Sequence, residues 1–395
     1  MNVARTMSRD RTPDKTLQAG RATHTGGYDS LLVICVVALI SLGTVMVFSA
    51  TIPSDSMSLT TNYGQLIKHL VHVALGLVLM YIAASMKMAW LQNASRILLL
   101  VGLLMLILLL VPGVGIEVNG SLRWFSIGGI RFQPSEFMKI ASIIYFADYL
   151  ARKKDDLHLF KVGIINVGLV VGVIGLLLLL EPDFGTTVVI TATVAAMMFL
   201  SGVRFWHFIV SVSVAAGLMA LIMWMEPYRV ARLLSYRDPW ADPFGTGFQL
   251  IQALIAIGRG EWFGTGLGGS IQKLFYLPHA GNDFLIAIVG EELGAVGIFT
   301  VLALFSVFLY RVFFISRRAL RLGHRFSAFL AQGIGMLMAF QAAVHIGVNT
   351  GLLPTKGLTL PLMSYGGSSM LSCMAAVGLL FAVDRETRPR PGGRR

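Results

Sequence analysis

Charged residues are scarce in this chain of 395 residues: Asp, Glu, Lys and Arg together make up 13% of it. Soluble domains contain about 25%. Hydrophobic residues make up 55% of the chain, and its mean hydropathy is +0.74. This composition excludes an ordinary soluble domain. It predicts a polytopic membrane protein, in which most of the apolar surface faces lipid.

Residues for sulfur and metal chemistry are also few. The two cysteines, Cys35 and Cys373, lie far apart in apolar runs, so neither a disulfide framework nor a cysteine metal site follows from them. The eight histidines show no spacing typical of metal ligands. The N-terminal segment is polar and basic, without the apolar core and cleavage site of a signal peptide.

The positive charge of the chain indicates membrane orientation and not a nucleic-acid partner. The net charge is +12, but the basic residues cluster at the two termini and in a few short loops. The segment Gly264–Gly269, GTGLGG, fits the glycine pattern of dinucleotide sites. Such a site needs a strand before the glycines and a helix after them, so we interpret these residues as flexible loop glycines.

The hydrophobic runs predict an all-α fold with about ten transmembrane helices. Residues 1–28 and 385–395 are predicted to be cytoplasmic tails, the first of them disordered, on either side of a transmembrane domain over 29–384. Because Lys and Arg collect in the tails and in every second loop, both termini are predicted to be cytoplasmic. The predicted spans are 29–50, 66–86, 94–112, 134–151, 160–180, 184–202, 205–226, 284–315, 325–350 and 366–384.

Two exterior connections are longer than the rest. The larger, about 227–283, lies between spans 7 and 8 and is rich in aromatic residues, so we expect it to be ordered. Within it, residues 249–258 have helical spacing and are predicted to lie on the membrane surface. The second connection, 112–133, leads into the fourth span.

Two short motifs place charge at the outer ends of spans. In QPSEFMK, Pro134 suits the first turn of a helix, and Glu136 and Lys139 are then neighbours on one face. They form either a structural ion pair or the charged floor of a cavity, with Lys139 able to contact an anionic group. In EPDFG, Glu181 and Asp183 occupy a tight exterior turn, which is either simply solvated or part of a site.

The stretch YLPHAGNDFLIAIVGEELG carries three carboxylates in a hydrophobic run: Asp283, Glu291 and Glu292. If the helix begins at Asp283, Glu291 lies about 12 Å deeper and Glu292 lies on the opposite face from Asp283. The three therefore cannot form one cluster. We interpret the two glutamates as structural charges bonded to a neighbouring helix, and Asp283 as a carboxylate at the outer boundary, open to substrate.

The segment GLLPTKGLTLPLMSYGGSSM, from Gly351 to Met370, predicts a rigid re-entrant turn. Two prolines and a Gly–Gly pair restrict its backbone, and Ser364 and Tyr365 bring hydrogen-bonding groups to membrane depth. Irregular backbone survives at that depth only inside protein or beside a cavity. The turn is either purely structural or part of a substrate site.

These motifs, in this order, resemble the FtsW/RodA (SEDS) family: RWFSIGGIRFQPSEFMK, EPDFGT, RDPWADPFGTGFQ, YLPHAGNDFLIAIVGEELG and LPTKGLTLPLMSYGGSS. The similarity runs from about residue 30 to 384, and the last motif resembles the division branch more than the elongation branch. The family's essential aspartate falls on Asp283. The family usually has Glu-Ala-His-Thr-Asp there, whereas this chain has His-Ala-Gly-Asn-Asp, so a role for the family's glutamate or histidine does not carry over.

The resemblance implies a glycosyltransferase that polymerises lipid II into glycan strands at the outer face of the bacterial plasma membrane. One inverting displacement needs a general base on the acceptor hydroxyl, which is Asp283, and cations on the departing pyrophosphate. The candidate cations are Lys139, Arg123, Lys273 and Arg259. Mg²⁺ or Mn²⁺ would be able to share that role, although no cofactor is indicated by the residues themselves.

The resemblance also implies partners: a class B penicillin-binding protein that cross-links the glycan, other division proteins, and the membrane lipids of the septum. Two alternatives stay open, a lipid II flippase and a non-catalytic scaffold that recruits a transpeptidase. The charges within the spans would suit a headgroup path. The lack of a visible inverted repeat and the asymmetry of the large exterior loop oppose transport.

Overall fold

The structure, a computed structural model, describes residues 28–51, 59–118, 121–127, 130–224, 236–274, 276–278, 280–355 and 357–388. Within these residues the regular secondary structure is helical apart from one small sheet. The α-helices are α1 Ser30–Thr51, α2 Leu59–Ser85, α3 Met88–Leu109, α4 Pro134–Arg152, α5 Asn166–Leu180, α6 Phe184–Ser201, α7 Phe205–Trp224, α8 Phe248–Gly260, α9 Leu285–Arg321, α10 Arg325–Asn349 and α11 Gly367–Thr387.

Nine of the described helices are long and apolar enough to cross a membrane. The prediction of an all-helical polytopic membrane protein is confirmed. The one predicted span that is not among these nine helices is 134–151, which corresponds to α4. This helix is similar in length to its neighbours but carries four charged side chains. Most of its residues are buried against other helices, so protein and not lipid surrounds three of those charges, Glu136, Lys139 and Asp148. The fourth, Arg152, is exposed at the end of the helix.

Most predicted boundaries agree with the structure to within a few residues. The exceptions include α2, which begins seven residues before its predicted span, α3, which begins six before, and α9, which ends six beyond. The last helix, α11, ends at Thr387, three residues beyond the predicted end of the last span at 384. Residues 1–27 and 389–395 of the predicted tails lie outside the described residues, as do residues 225–235 before and within the large exterior loop. The segment Tyr28–Thr387 forms one compact unit.

The exterior connection before α4 forms a small antiparallel sheet, which the sequence reading missed. Its strands are β1 Ile116–Val118, β2 Ser121–Ile127 and β3 Ile130–Phe132, in the order β1-β2-β3. An Asn-Gly pair and a Gly-Gly pair separate the three strands in the sequence. Such pairs between alternating residues are a strong hairpin signal, and they could have revealed the sheet.

Helix α9 is broken at Gly294, where φ is 67° and ψ is −165°. The part before the break, 285–293, presents no exposed side chain, whereas exposed apolar side chains run from Val296 to Phe314. That stretch is about 27 Å long at 1.5 Å per residue, close to the hydrocarbon thickness of a bilayer, which is about 30 Å. The lipid-facing part of α9 therefore begins at the break, and Glu291 and Glu292 lie on the outer side of it.

The described part of the large exterior loop is bonded to this break. Helix α8 confirms the predicted helix at 249–258 and packs against α9, so closely that a Cβ on Gly260 would overlap the carbonyl of Gly290. After α8 the backbone pairs with the broken turn: Thr265 N donates to Glu291 O at 2.9 Å, and Gly266 N to Glu292 O at 3.1 Å. Gly264 thus serves a close backbone approach to Glu292, and the interpretation of this glycine as a flexible loop residue was wrong.

At the end of the helices away from the break in α9, which is the predicted cytoplasmic side, ion pairs join α9 to α11 and to the residue before α1. Arg311 of α9 donates to Asp29, just before α1, and Arg318 of α9 donates to Asp384 of α11. The backbone N–H of Asp29 donates to the Asp384 carboxylate at 2.9 Å. These bonds fix α1, α9 and α11 at one end while the broken turn of α9 is fixed at the other.

We expect Gly264→Ala to destabilise the protein more than Gly266→Ala. Both glycines have positive φ, 79° and 92°, so each alanine carries a similar backbone strain of about 1–2 kcal/mol. A Cβ at Gly264 would also overlap the carbonyl oxygen of Glu292, whereas no atom lies within 4 Å of a Cβ at Gly266. The midpoint of thermal unfolding in detergent measures the difference. Equal losses for the two variants would show that the pairing with the broken turn contributes nothing.

Candidate active site

Asp283 lies in a turn immediately before α9 and is half-buried. Three consecutive carbonyls of this turn are each held by a different donor. Tyr365 N donates to Gly281 O at 3.0 Å, Ser364 Oγ to Asn282 O at 2.8 Å, and Asn349 Nδ2 to Asp283 O at 3.0 Å. We call this arrangement the carbonyl cradle. It fixes the backbone that carries the Asp283 carboxylate.

Asn349, the last residue of α10, is the member of the cradle that the sequence reading missed. Its side chain is fully buried, and its Oδ1 accepts from Ala287 N at 3.1 Å while its Nδ2 bonds the Asp283 carbonyl. One amide thus joins the end of α10 to the first turn of α9. The sequence signal was faint: Asn349 stands two residues before Gly351, which indicates a helix C-terminus but no partner.

The re-entrant segment, described at residues 351–355 and 357–366, passes close to the Asp283 carboxylate. A Cβ added to Gly357 would lie 2.8 Å from Asp283 Oδ2, so only a glycine backbone fits there without displacement. His345 of α10 donates from Nδ1 to the Leu358 carbonyl at 2.7 Å. The segment is therefore bonded both to α10 and to the Asp283 turn, as expected for a rigid turn and not for a mobile loop.

Ser364 and Tyr365, two predicted substrate residues, are bonded within the protein, Ser364 by its hydroxyl and Tyr365 by its backbone N–H. The Ser364 hydroxyl donates to the Asn282 carbonyl and accepts from Leu360 N at 3.0 Å. Burial raises the pKa of Tyr365, while Arg131 opposes the rise, so its phenol stays protonated at neutral pH. The structure places both residues against the Asp283 turn, where they position it.

The first turn of α4 lies beside the start of α11. Pro134 begins α4 as predicted, and Lys139 Nζ donates to Glu136 Oε1 at 2.8 Å. The other Glu136 oxygen accepts from Ser372 of α11 at 2.8 Å. Both charges are almost fully buried, so Lys139 can reach an anion only where the pair opens.

The start of α4 is also bonded to the turn that holds Asp183. Ser135 Oγ donates to Asp183 Oδ2 at 3.1 Å, and Gln133 N donates to Ser368 Oγ at 3.0 Å. Tyr365 and Ser368 are three residues apart, so their Cα atoms are at most about 11 Å apart. One short stretch of chain thus contacts both the Asp283 turn and the α4 start, and the two regions are neighbours.

Arg123 on β2 holds the EPDFG turn by its carbonyls. Its Nε donates to Glu181 O at 3.2 Å, and its Nη2 donates to Pro182 O. Asp183 caps α6, accepting from Thr186 N at 3.3 Å. This places a guanidinium over the end of α5, where its charge offsets the exposed carbonyl dipoles.

Glu181 itself is buried, and neither carboxylate oxygen has a hydrogen-bond partner among the described residues. Burial raises its pKa to about 8, the nearby Asp183 carboxylate adds to the rise, and Arg123 opposes it. Glu181 is therefore mostly protonated at neutral pH. The EPDFG turn is not simply solvated.

The two glutamates after Asp283 are bonded separately from it. Glu291 accepts from Ser270 Oγ, from the backbone N–H of Ile271 at 2.9 Å and of Gln272 at 3.3 Å, and from Arg259 at 3.4 Å. Glu292 accepts from Lys273 Nζ at 2.8 Å and from Ser49 Oγ at 2.7 Å. Most of these donors come from the exterior loop; one helix supplies Ser49 and another supplies Arg259.

Lys273 and Arg259, two predicted pyrophosphate clamps, are thus placed against Glu292 and Glu291. Lys273 is 8% exposed and also donates to Ser49 at 3.0 Å, so its ammonium is enclosed by protein. The Arg259 side chain is 40% exposed and makes one longer contact. The structure groups these cations with the glutamates, apart from the carbonyl cradle. Among the described residues, no three His, Cys, Asp or Glu side chains stand close enough to hold a metal ion.

We expect Lys273→Met to destabilise the protein by about 3–5 kcal/mol, because it leaves the buried Glu292 carboxylate without its cation. Adding Glu292→Gln should restore most of the loss, since the double variant buries no charge. Thermal unfolding in detergent compares the three proteins. A single variant that unfolds with the wild type but binds a polyprenyl pyrophosphate less tightly would instead make Lys273 a substrate clamp.

We expect Glu181→Gln to stabilise the protein increasingly as the pH rises. The ordinary pKa of a glutamate is near 4.5 and the folded value here is about 8, so the folded state binds the extra proton between these values. Stability is then lost as pH rises through that window, by up to about 1.4 kcal/mol per pH unit. Unfolding midpoints of both proteins from pH 5 to pH 8 test this. A difference that does not change with pH would contradict a protonated Glu181.

Comparison with known proteins gives one consistent result. A family model described as "Cell cycle protein", that of FtsW, RodA and SpoVE, matches residues 29–389. A relative from Nitrosococcus halophilus, named "Probable peptidoglycan glycosyltransferase FtsW", is 49% identical over 91% of this chain and 93% of its own length. A relative of the same name from Coxiella burnetii is 44% identical over 93% and 99%.

Two solved structures have the same fold. A chain of the structure described as "Structural coordination of polymerization and crosslinking by a peptidoglycan synthase complex" superposes with a TM-score of 0.74 at 31% identity, covering 91% of this chain and 98% of that one. The rod shape determining protein RodA of Thermus thermophilus superposes with a TM-score of 0.65 at 28% identity, covering 92% and 99%.

Proposed function

Because the chain belongs to the FtsW/RodA/SpoVE family of cell cycle proteins, we propose that it polymerises lipid II into glycan strands with Asp283 as the general base. It is a multi-pass membrane protein and a peptidoglycan glycosyltransferase, as its relatives are named. The observation that supports Asp283 is the carbonyl cradle, which holds three carbonyls in succession around a half-buried carboxylate.

The proposed reaction is one inverting displacement. The 4-hydroxyl of a lipid-linked disaccharide attacks C1 of a second sugar, a new C1–O bond forms, and the bond from C1 to the polyprenyl pyrophosphate breaks. The hydroxyl proton passes to the Asp283 carboxylate, and the electron pair leaves with the pyrophosphate. A base for this step must stand within hydrogen-bond reach of the hydroxyl, and a fixed backbone makes that geometry reproducible.

The leaving pyrophosphate needs cationic donors, and the predicted candidates differ in what they can offer. Lys139 and Lys273 are each nearly buried in an ion pair. A guanidinium has five N–H donors; the bonds described above occupy two on Arg123 and one on Arg259. We therefore assign the pyrophosphate to Arg123, which holds the EPDFG turn beside the start of α4, and keep Lys139 as a cation that joins when its pair with Glu136 opens. Arg259 lies with Glu291, apart from the carbonyl cradle, and stays a predicted candidate only.

We propose that any Mg²⁺ or Mn²⁺ would bind together with the substrate and not as a resident cofactor of the protein. Such ions prefer oxygen ligands and are commonly bound through one or two carboxylates plus substrate phosphates. The buried carboxylates Glu136, Glu291 and Glu292 already accept hydrogen bonds from protein donors. An ion bound by the pyrophosphate itself would neutralise part of the leaving-group charge, and no protein step is derived from it.

We place the activity in cell division, at the septum of the bacterial inner membrane, with a class B penicillin-binding protein as the partner. The support is that the relatives named above carry the name FtsW, and that one similar structure is described as a complex coordinating polymerization with crosslinking. The other division proteins of the septum and the surrounding membrane lipids complete the set of proposed partners.

We expect Asp283→Asn to abolish glycan polymerisation by the purified protein with its partner, because an amide cannot accept the hydroxyl proton. The matched control is Asp242→Asn on the same exterior loop. Asp242 is exposed, and its pKa is lowered by the Thr246 backbone N–H, a bond that an asparagine oxygen can also accept. Glycan chains resolved on a gel after incubation with lipid II give the result. Polymerisation by Asp283→Asn at the control rate would exclude Asp283 as the base.

The same assay separates the alternatives when it is run in detergent, where no bilayer exists to be crossed. Glycan chains made there require an enzyme. Their absence, together with headgroup movement across liposomes, would favour a lipid II flippase. Neither activity would leave a scaffold that recruits the transpeptidase.

A further inference from the structure

Two large aromatic side chains project from the turn that follows α8. Trp262 is 66% exposed and Phe263 is 84% exposed. Neither takes part in the carbonyl cradle or in the ion pairs of Glu291 and Glu292. Exposed apolar patches mark sites where a protein contacts another protein or a membrane. The adjacent Trp262 and Phe263 side chains form such a patch on an ordered turn outside the spanning helices.

The turn that carries them is rigid. Glu261 O accepts from Ala295 N at 2.8 Å, and Trp262 O accepts from Val296 N at 3.2 Å, so the turn is bonded to the break of α9. Glu261 has φ 47° and ψ −133°, a conformation that L-residues rarely adopt. Such strain persists only where surrounding bonds impose it, and it tends to occur at functional positions.

The depth of the turn follows from the same bonds. Val296, whose N–H donates to Trp262 O, is the first of the exposed apolar side chains on α9, which continue through Phe299 to Phe314. Because that stretch matches the hydrocarbon thickness, its outer end lies at the boundary between acyl chains and headgroups. Trp262 and Phe263 are therefore at the level where Trp side chains concentrate in membrane proteins.

We propose that Trp262 and Phe263 form an interfacial membrane anchor, which inserts into the headgroup–acyl boundary of the outer leaflet. The aromatic pair extends the lipid-facing surface of α9, because the turn that carries the pair is bonded to Ala295 and Val296, where that surface begins. This continuity favours lipid over a protein partner as the occupant. The role of the pair is separate from the glycosyltransferase reaction: it holds the exterior loop at the membrane surface.

The chain that follows the anchor is bonded to the two buried glutamates of α9. Immediately after it, Thr265 and Gly266 donate to the carbonyls of Glu291 and Glu292, and the chain then reaches Ser270 and Lys273, which bond the same two glutamates. An aromatic pair fixed at the interface therefore fixes the height of these glutamates above the acyl chains. Its position keeps both carboxylates on the outer side of the hydrocarbon.

Site-directed spin labelling of the full chain in lipid nanodiscs tests the anchor. A nitroxide on Phe263→Cys is compared with one on Phe299→Cys, exposed on the lipid-facing stretch, and one on Ala241→Cys, exposed near Asp238 and Asp242 on the exterior loop. The native Cys35 and Cys373 are buried, and the unsubstituted protein measures any labelling of them. Because Phe263 is exposed, its replacement removes no core contact.

We expect the label at 263 to lie roughly 5–10 Å into the headgroup–acyl boundary. Its collision rate with oxygen should approach that at 299, and its collision rate with a water-soluble nickel chelate should be at least threefold below that at 241. Equal access to the chelate at 263 and 241 would overturn the proposal. Loss of oxygen access at 263 when a class B penicillin-binding protein is added would also overturn it, since the surface would then belong to a protein interface.

Discussion

The carbonyl cradle around Gly281–Asp283 is the constraint on which the candidate site depends. Each of three successive carbonyls accepts one bond, from Tyr365, Ser364 and Asn349. A single bond of this kind contributes about 1 kcal/mol, but three in a row leave the turn almost no alternative conformation. The donors come from the re-entrant segment and from the end of α10, so the Asp283 carboxylate is positioned only when both are folded against the start of α9.

Among the described residues in the outer half of the protein, each buried glutamate except Glu181 accepts hydrogen bonds from its own donors. Glu136, Glu291 and Glu292 are bonded by separate groups, and none shares a partner with another. The break at Gly294 further reduces the cost, because it places the two glutamates of α9 outside the lipid-facing stretch. Glu181 avoids the cost by retaining its proton, as burial raises its pKa.

Much of the fold could be predicted from the sequence, because spans and helix starts depend on local composition. The hydrophobic runs gave the helices, Pro134 gave the start of α4, and the spacing of Glu136 and Lys139 gave their ion pair. The separation of Asp283 from the two glutamates also followed from helix geometry. These features depend on residues within a few positions of one another, so a periodic pattern is enough to indicate them.

The cradle and the anchor could not be predicted, because their partners are distant in sequence. Asn349 is 66 residues from Asp283, and nothing in its neighbourhood indicates which carbonyl it bonds. The pairing of Thr265 with Glu291 depends on a break at Gly294, yet glycine in a helical run does not by itself predict a break. The partner of Lys273 is likewise not evident from the sequence, which shows a cation near the membrane surface but not the carboxylate that it binds. Lys273 was therefore interpreted as a clamp for the pyrophosphate.

The most direct test is a structure of the chain with its proposed transpeptidase partner, lipid II and an unreactive analogue of the donor. The account predicts that an Asp283 carboxylate oxygen lies within about 2.6–3.2 Å of the acceptor hydroxyl, with the three carbonyl bonds of the cradle intact. It also predicts that the Lys273–Glu292 pair stays closed. A hydroxyl bonded to a different side chain, with Asp283 directed away from the sugar, would contradict the account.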